Sequence, residues 1–288
     1  MIGKAACRGA VTLVNAIATG RGCAFGIDLE VDAEVVLLDE GEDVALDGPQ
    51  EGVRLARGCV HAVSVSAGRT KRGGTVKVRS DIPMSRGLKS SSASSNAMVL
   101  ATARAVGAGL GDSDLLRIAI DESVRAGITI TGALDDSAAC FYGGIALTDN
   151  RAMRILGRDR MDGSLRVVIH VPERAISKSD VIPGDFEAMK DEFDRAFSLA
   201  SKGDYLQAMA VNSEACAKVL GLPEDAVDIA KRNGAVAAGI TGTGPATAAL
   251  CRPEDEARIA RALGALDGDV LTAGMNETCA REVVPRLL

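Results

Sequence analysis

One loop constrains this chain more than any other feature: Pro83-Met84-Ser85-Arg86-Gly87-Leu88-Lys89-Ser90-Ser91-Ser92-Ala93. It follows a β-branched, strand-like run at 75–78 and opens an Ala-rich helical stretch at 90–106. Gly87 permits a tight turn without a Cβ. The first four N–H groups of a helix have no intrahelical partner, and the helix dipole adds about half a positive charge there. Three consecutive serines exceed the one hydroxyl that a cap requires, and Arg86 and Lys89 add formal charge. Such a turn cradles a polyphosphate, and one of its hydroxyls can also ligate Mg²⁺. It is not a Walker A loop. The nearest approach to that pattern, at 68–75, has Gly74 where the lysine is required, and reads as a basic hairpin turn. No G-x-G-x-x-G dinucleotide fingerprint sits in a βαβ context.

The 288 residues suffice for about two lobes. The polar stretch at 150–163 reads as the link, giving lobes 1–150 and 151–288. Elements of both kinds alternate irregularly, which predicts an α+β fold. Strands are expected at 31–38, 75–78, 143–148, 165–171 and 246–251. Helices are expected within 50–67 and at 90–106, from Asp112 or Ser113 to Arg125, and at 185–201, 205–220 and 224–233. Pro253 starts a last helix, and 277–284 is expected to close a sheet. Only 2% of the residues are aromatic, so Ala, Val, Leu, Ile and Met must build the core. The net charge of −6 gives no global basic field and excludes a dedicated nucleic-acid binder. Seven scattered cysteines, with no C-x-x-C, read as free thiols of a reducing compartment. No signal-peptide pattern opens the chain and no 18-residue apolar run occurs, which predicts a cytoplasmic protein without membrane partners.

A second informative segment is Thr129-Ile130-Thr131-Gly132-Ala133-Leu134-Asp135-Asp136-Ser137-Ala138-Ala139-Cys140-Phe141-Tyr142-Gly143-Gly144. Two adjacent acids lie among apolar and small residues. They fit either a capped helix start or a general base with a neighbour that orients it. Adjacent carboxylates repel, which can raise one pKa. Three glycines at 20–26 predict a tight, exposed turn, and the Gly-rich stretch at 239–247 another. His61 and His170 lie far from these motifs. His170, in an apolar strand, reads as a core or edge residue.

The 83–93 loop resembles the second motif of the GHMP kinases, roughly P-x-x-x-G-L-G-S-S-A-A. Lys89 stands where most of that family has Gly, and Ser92 for its first Ala. The Gly-Leu-Lys-Ser-Ser-Ser-Ala variant resembles the archaeal shikimate kinase branch. The stretch at 9–17 sits where the family has its first motif, with Ala10 at a position that is Lys in mevalonate kinase. The 20–28 stretch is similar to the substrate loop of homoserine kinase, and 239–247 to the third motif, with Thr243 and Pro245 for glycines. The 129–144 segment resembles G-x-D-N-x-x-S-x-x-G-G, with Asp136 in place of Asn.

This resemblance implies a two-lobed GHMP kinase fold. Its N-terminal lobe carries a left-handed βαβ unit, its C-terminal lobe is ferredoxin-like, and the site lies between. It implies an ATP-dependent kinase acting on the 3-hydroxyl of shikimate, with ATP and Mg²⁺. Asp135 and Lys89 are the expected catalytic residues. Pro83, Ser85, Arg86, Gly87, Leu88, Lys89, Ser90, Ser91, Ser92 and Ala93 would bind the phosphates. Asn15, Asp135, Thr241 and Gly242 would contact substrate, and Ser91 and Glu122 would hold the metal, with Asp121 as rival to Glu122. The cation for the substrate carboxylate stays open among Arg8, Arg21, Arg125, Arg151 and the second lobe. A homoserine or mevalonate kinase of the same fold, a non-catalytic ATP or metabolite sensor and a decarboxylase are the alternative readings.

Overall fold

A computed structural model describes residues 1–70, 72–129, 132–174, 176 and 181–286. Its first lobe is built on two long strands, β1 (Ile2–Val14) and β2 (Arg21–Leu37), paired antiparallel. Both are buried along most of their length, so neither shows the period-two alternation of a half-exposed strand. That is why β1 and the first half of β2 were hidden in the sequence. The 20–26 glycines do not form an exposed turn: Gly22 and Gly26 are buried inside β2, and only Gly20 takes positive φ.

β2 is long enough to pair twice along its other edge. Its second half runs beside β4 (Gly74–Ser80) and its first five residues beside β5 (Ile145–Asp149). β3 (Val44–Asp47) joins β4 in parallel, with α1 (Val53–Ser66) crossing between them as a βαβ unit. The 68–75 stretch is therefore the α1-to-β4 connection of a parallel pair, not a hairpin. Lys71 lies outside the described residues. β6 (Arg154–Asp159) pairs with β5 and completes six strands. Residues 154–159 thus extend the first sheet, and the chain crosses between sheets after Asp159 instead of at 150.

Helices α2 (Ser90–Val106), α3 (Asp112–Arg125) and α4 (Leu134–Tyr142) accompany this sheet, α2 and α4 packing directly on β1 and β2. α2 is buried almost all round, as its lack of a charged face requires. α3 starts at Asp112, but its cap is Gly111 and no side chain caps it.

The second lobe runs β7 (Arg166–Val171), α5 (Pro183–Glu187), α6 (Lys190–Ala200), α7 (Tyr205–Leu220), α8 (Asp225–Arg232), β8 (Ala237–Ile240), β9 (Thr247–Cys251), α9 (Pro253–Leu263) and β10 (Asp269–Gly274). The antiparallel sheet has the order β10-β7-β9-β8. Numbered within the lobe, that is fourth-first-third-second in a β-α-β-β-α-β chain, the ferredoxin-like pattern. The single helix expected at 185–201 is two, α5 and α6, with a break at Ala188 and Met189. The 277–284 segment forms no strand. β10 closes the sheet instead, against β7. His170, on β7, is buried with Nε2 3.0 Å from the Asp267 carbonyl. One apolar core runs through both lobes, joining Leu13, Leu100 and Ile145 to Ile169, Met209 and Leu250.

Candidate active site

A cavity of about 620 Å³ opens where the two lobes meet. Two helix N-termini face it. The first is that of α2, with Lys89, Ser90, Ser91 and Ser92 on the wall; the second is that of α4, with Asp135, Asp136 and Ser137. Asn15, Ala16 and Ile17 come from the β1–β2 turn, and Gly242 and Thr243 from the β8–β9 turn. Glu51, Ser123 and residues 127–129 line a further part.

The α2 loop is shaped by three left-handed residues, Ser85 (φ +56°), Gly87 (φ +84°) and Lys89 (φ +65°). Gly87 lies so close to the Thr241 carbonyl that a methyl group there would overlap it. Lys89 is the N-cap of α2 and makes no side-chain capping bond. A non-glycine residue in this conformation carries roughly 1 kcal/mol of strain or more, so the surroundings must hold it there. They do: the Lys89 ammonium lies 2.9 Å from Asp136 Oδ1, both side chains being largely buried.

Asp135 is 4% exposed and sits in the first turn of α4, where the helix dipole favours a carboxylate. Asn150 Nδ2 donates to Asp135 Oδ1 at 2.8 Å, and the Thr148 hydroxyl donates to Asn150 Oδ1 at 2.7 Å, which fixes the amide's orientation. The other carboxylate oxygen lies over Gly22, where any side chain would collide with it. Burial, then the neighbouring Asp136 charge, push the Asp135 carboxyl up to about 7, against the opposing pull of Lys89 and Asn150. The Lys89 ammonium is pushed up: burial opposes its charge, but Asp136 and Asp135 outweigh that. The site therefore holds a buried carboxylate of near-neutral pKa, a cation and the N-terminus of α2 on one wall.

Of the expected phosphate-binding residues, the structure brings Ser85, Gly87, Lys89, Ser90, Ser91 and Ser92 to the cavity. Pro83, Arg86, Leu88 and Ala93 are not on its wall. Arg86 donates to the Glu173 carbonyl at 2.8 Å, and Leu88 and Ala93 are core residues. Asn15 and Gly242 are on the wall and joined, Asn15 Nδ2 to the Gly242 carbonyl at 3.0 Å. Thr241 is fully buried and does not line the cavity. Its hydroxyl accepts from the Thr12 N–H and donates to the Gly87 carbonyl. Glu122 is not brought to the wall either: its carboxylate lies over Gly58 of α1 and accepts a hydrogen bond from Arg125. Asp121 is exposed on α3. Asn150, Glu51 and Ser123 were not expected from the sequence, and no motif marks them; Gly22 lies in the 20–28 stretch but was not singled out as a site residue. Ile130 and Thr131, within the second informative segment, lie outside the described residues.

Among the described residues no group of three or more His, Cys, Asp or Glu side chains is placed to hold a metal. Mg²⁺ needs no such cage when phosphates are present, because it keeps waters and takes one or two protein oxygens. The Ser91 hydroxyl on the wall fits that demand; Glu122, turned away and paired with Arg125, does not.

Comparison with known proteins meets this geometry from the other side. Residues 54–144 match the family model of the GHMP kinases N terminal domain, and residues 189–267 that of the GHMP kinases C terminal. The chain belongs to the GHMP kinases. It is 38% identical over 281 residues to the shikimate kinase of Methanothrix thermoacetophila, covering 98% of this chain and 96% of that protein. It is 39% identical to the shikimate kinase of Methanothermobacter thermautotrophicus, covering 95% of each. Among solved structures, homoserine kinase from Cytophaga hutchinsonii superposes with a TM-score of 0.75 at 19% identity over 96% of each chain. The mevalonate kinase of Methanococcus jannaschii gives 0.74 at 18% identity, over 96% of this chain and 98% of that one. These likenesses establish the two-lobed fold that the loop motif implied.

Proposed function

We propose that this GHMP kinase transfers the γ-phosphoryl group of ATP to the 3-hydroxyl of shikimate, giving shikimate 3-phosphate and ADP. The observation that carries the reading is a pairing. Asp135, Lys89 and the three serines share one cavity, in a chain 38% identical along nearly its whole length to a shikimate kinase.

The residues divide the work as follows. The triphosphate lies along the start of α2, met by backbone N–H groups, the hydroxyls of Ser90, Ser91 and Ser92, and the Lys89 ammonium. Asp135 accepts the proton of the substrate hydroxyl as its oxygen bonds to the γ-phosphorus and the bond to the ADP oxygen breaks. Lys89 sits beside the charge that develops on the transferring group. Mg²⁺ would be held by the Ser91 hydroxyl, which lines the cavity, and would supply neutralisation of phosphate charge. Since transfer passes through a loose transition state, most of the acceleration comes from positioning and fixed charge. Six of the seven unpaired thiols are buried and the seventh is half-buried, which suits a reducing compartment, so we place the reaction in the cytoplasm.

ADP release measured with Mg·ATP and a panel of shikimate, homoserine, mevalonate and galactose tests the reading. Turnover of shikimate alone is expected. Turnover of another alcohol moves the substrate; ATP binding without turnover of any alcohol turns the protein into a sensor.

A further inference from the structure

Two adjacent carboxylates of α4 and one ammonium meet in the cavity, and only one of the two is the proposed base. Lys89 is the only cationic side chain on the wall among the described residues. Its side chain is 8% exposed, and it takes Asp136, itself 16% exposed, as its partner. It does not take Asp135, although Asp135 is the next residue along α4. A buried cation without a counter-ion is strongly disfavoured, so if Asp136 were neutral the ammonium would turn to the remaining buried carboxylate. That carboxylate is Asp135, whose Oδ1 is already engaged by Asn150. An ion pair to its remaining oxygen would occupy the lone pairs that the substrate hydroxyl needs. An ammonium has three N–H donors, so Lys89 can keep Asp136 and still meet a phosphate oxygen. Its Nζ stands against Gly242, 2.9 Å from where a Cβ would be, and Gly242 is itself on the wall.

We propose that Asp136 is a positioning residue: its ion pair holds the Lys89 ammonium off Asp135 and so leaves the Asp135 carboxylate free for the substrate hydroxyl, while the remaining N–H donors of Lys89 still reach a phosphate. The inference rests on the kinase reading above. It explains why Asp136 is an acid where the related motif has an amide: a buried lysine replaces glycine at position 89 and requires a dedicated counter-charge. It also explains how Lys89 is kept in its left-handed turn.

The test is a four-way comparison of wild type, Asp136→Asn, Lys89→Met and the double variant, reading kcat for transfer and Kd for ATP. Lys89→Met is expected to weaken ATP binding by roughly tenfold and to lower kcat. Asp136→Asn is expected to leave the ATP Kd within about twofold while lowering kcat by roughly 100-fold, a split that a merely structural loss would not give. Adding Lys89→Met to Asp136→Asn is expected to raise kcat, because the misplaced cation is gone; Asp136→Glu keeps most of it. Multiplicative losses in the double variant, or an ATP Kd weakened equally by Asp136→Asn and Lys89→Met, overturn the proposal. Should Asp136→Asn not fold, the double variant decides. It carries no unpaired buried cation, so it should fold and match Lys89→Met in kcat; failure to fold overturns the positioning role. If the wild-type protein phosphorylates a different alcohol, the shikimate reading falls while the same comparison on that alcohol still decides for Asp136. If no alcohol is phosphorylated, the ATP Kd values decide alone.

Discussion

At the scale of single residues, Asp135 is a costly group to keep. Its carboxyl is pushed from the usual 3.8 to about 7, first by burial and then by Asp136. Two consequences follow with opposite signs. As the proposed base, Asp135 works only when ionised, so kcat/KM for shikimate should fall about tenfold per pH unit below about 7. Between 3.8 and 7 the folded state holds a proton that the unfolded state has released, so this group makes stability fall as pH rises through that window. Replacing Asp135 by Asn should therefore abolish transfer, by 100-fold or more, while ATP still binds. The same variant should melt higher than wild type at pH 8 and show little gain at pH 4. Melting curves at the two pH values check this, and a lower melting temperature at pH 8 would contradict the burial argument. That Asp135 lies on the cavity wall was legible in the sequence because an acid pair among small apolar residues is unusual. Asn150, which orients it, was not, because an Asn at a strand end looks like any turn residue.

Among the elements, the turn that opens α2 could be read from sequence because its pattern is local: glycine, hydroxyls and cations in one short run. The β1–β2 hairpin could not. Its glycines answer to a partner 113 positions away in the chain, as Gly22 does to Asp135. A glycine that clears space for a distant carboxylate looks the same, in one dimension, as a glycine that makes a turn. That Glu122 lies off the cavity wall was not legible, for the related reason that position on a helix does not say which face the cavity meets. The hairpin makes a definite prediction. Gly22→Ala places a methyl against the Asp135 carboxylate within a buried strand that is paired with β5 at Gly22 itself and with β1 from Cys23 on, so the strand has little room to yield. Transfer should drop by roughly 100-fold through misplacement of the base, as displacements of about 1 Å do, with ATP affinity little changed. An alanine variant with wild-type kcat would mean that Asp135 has room to move and that its placement does not limit the rate.

For the whole molecule, the two lobes share more than the cavity between them. The turn after β8 is stitched to β1 by reciprocal bonds: Thr12 N–H to the Thr241 hydroxyl and Gly242 N–H to the Thr12 hydroxyl, each at 3.0 Å. The Asn15 N–H donates to Asn212 Oδ1 on α7 at 2.7 Å, and the Ala246 N–H to the Arg86 carbonyl at 3.3 Å. After β10 the chain returns to the first lobe, where the Asn276 N–H donates to the Gly26 carbonyl and Ala280 to Phe141. These bonds are buried, and the core beneath them is continuous, so neither lobe can open without exposing apolar surface and unpaired polar groups of the other. Unfolding should therefore be one transition for both lobes, with calorimetric and van't Hoff enthalpies equal and tertiary and secondary probes coincident. ATP at 100 times its Kd should stabilise that single transition by about 2.7 kcal/mol, since it binds the folded state alone. Thr241→Val removes the hydroxyl that joins Thr12 to Gly87 at the lobe junction, and should lower the melting temperature while widening or splitting the transition. Two resolved transitions in the wild-type protein would show instead that the lobes are separate folding units and that the bonds between them do not couple their unfolding.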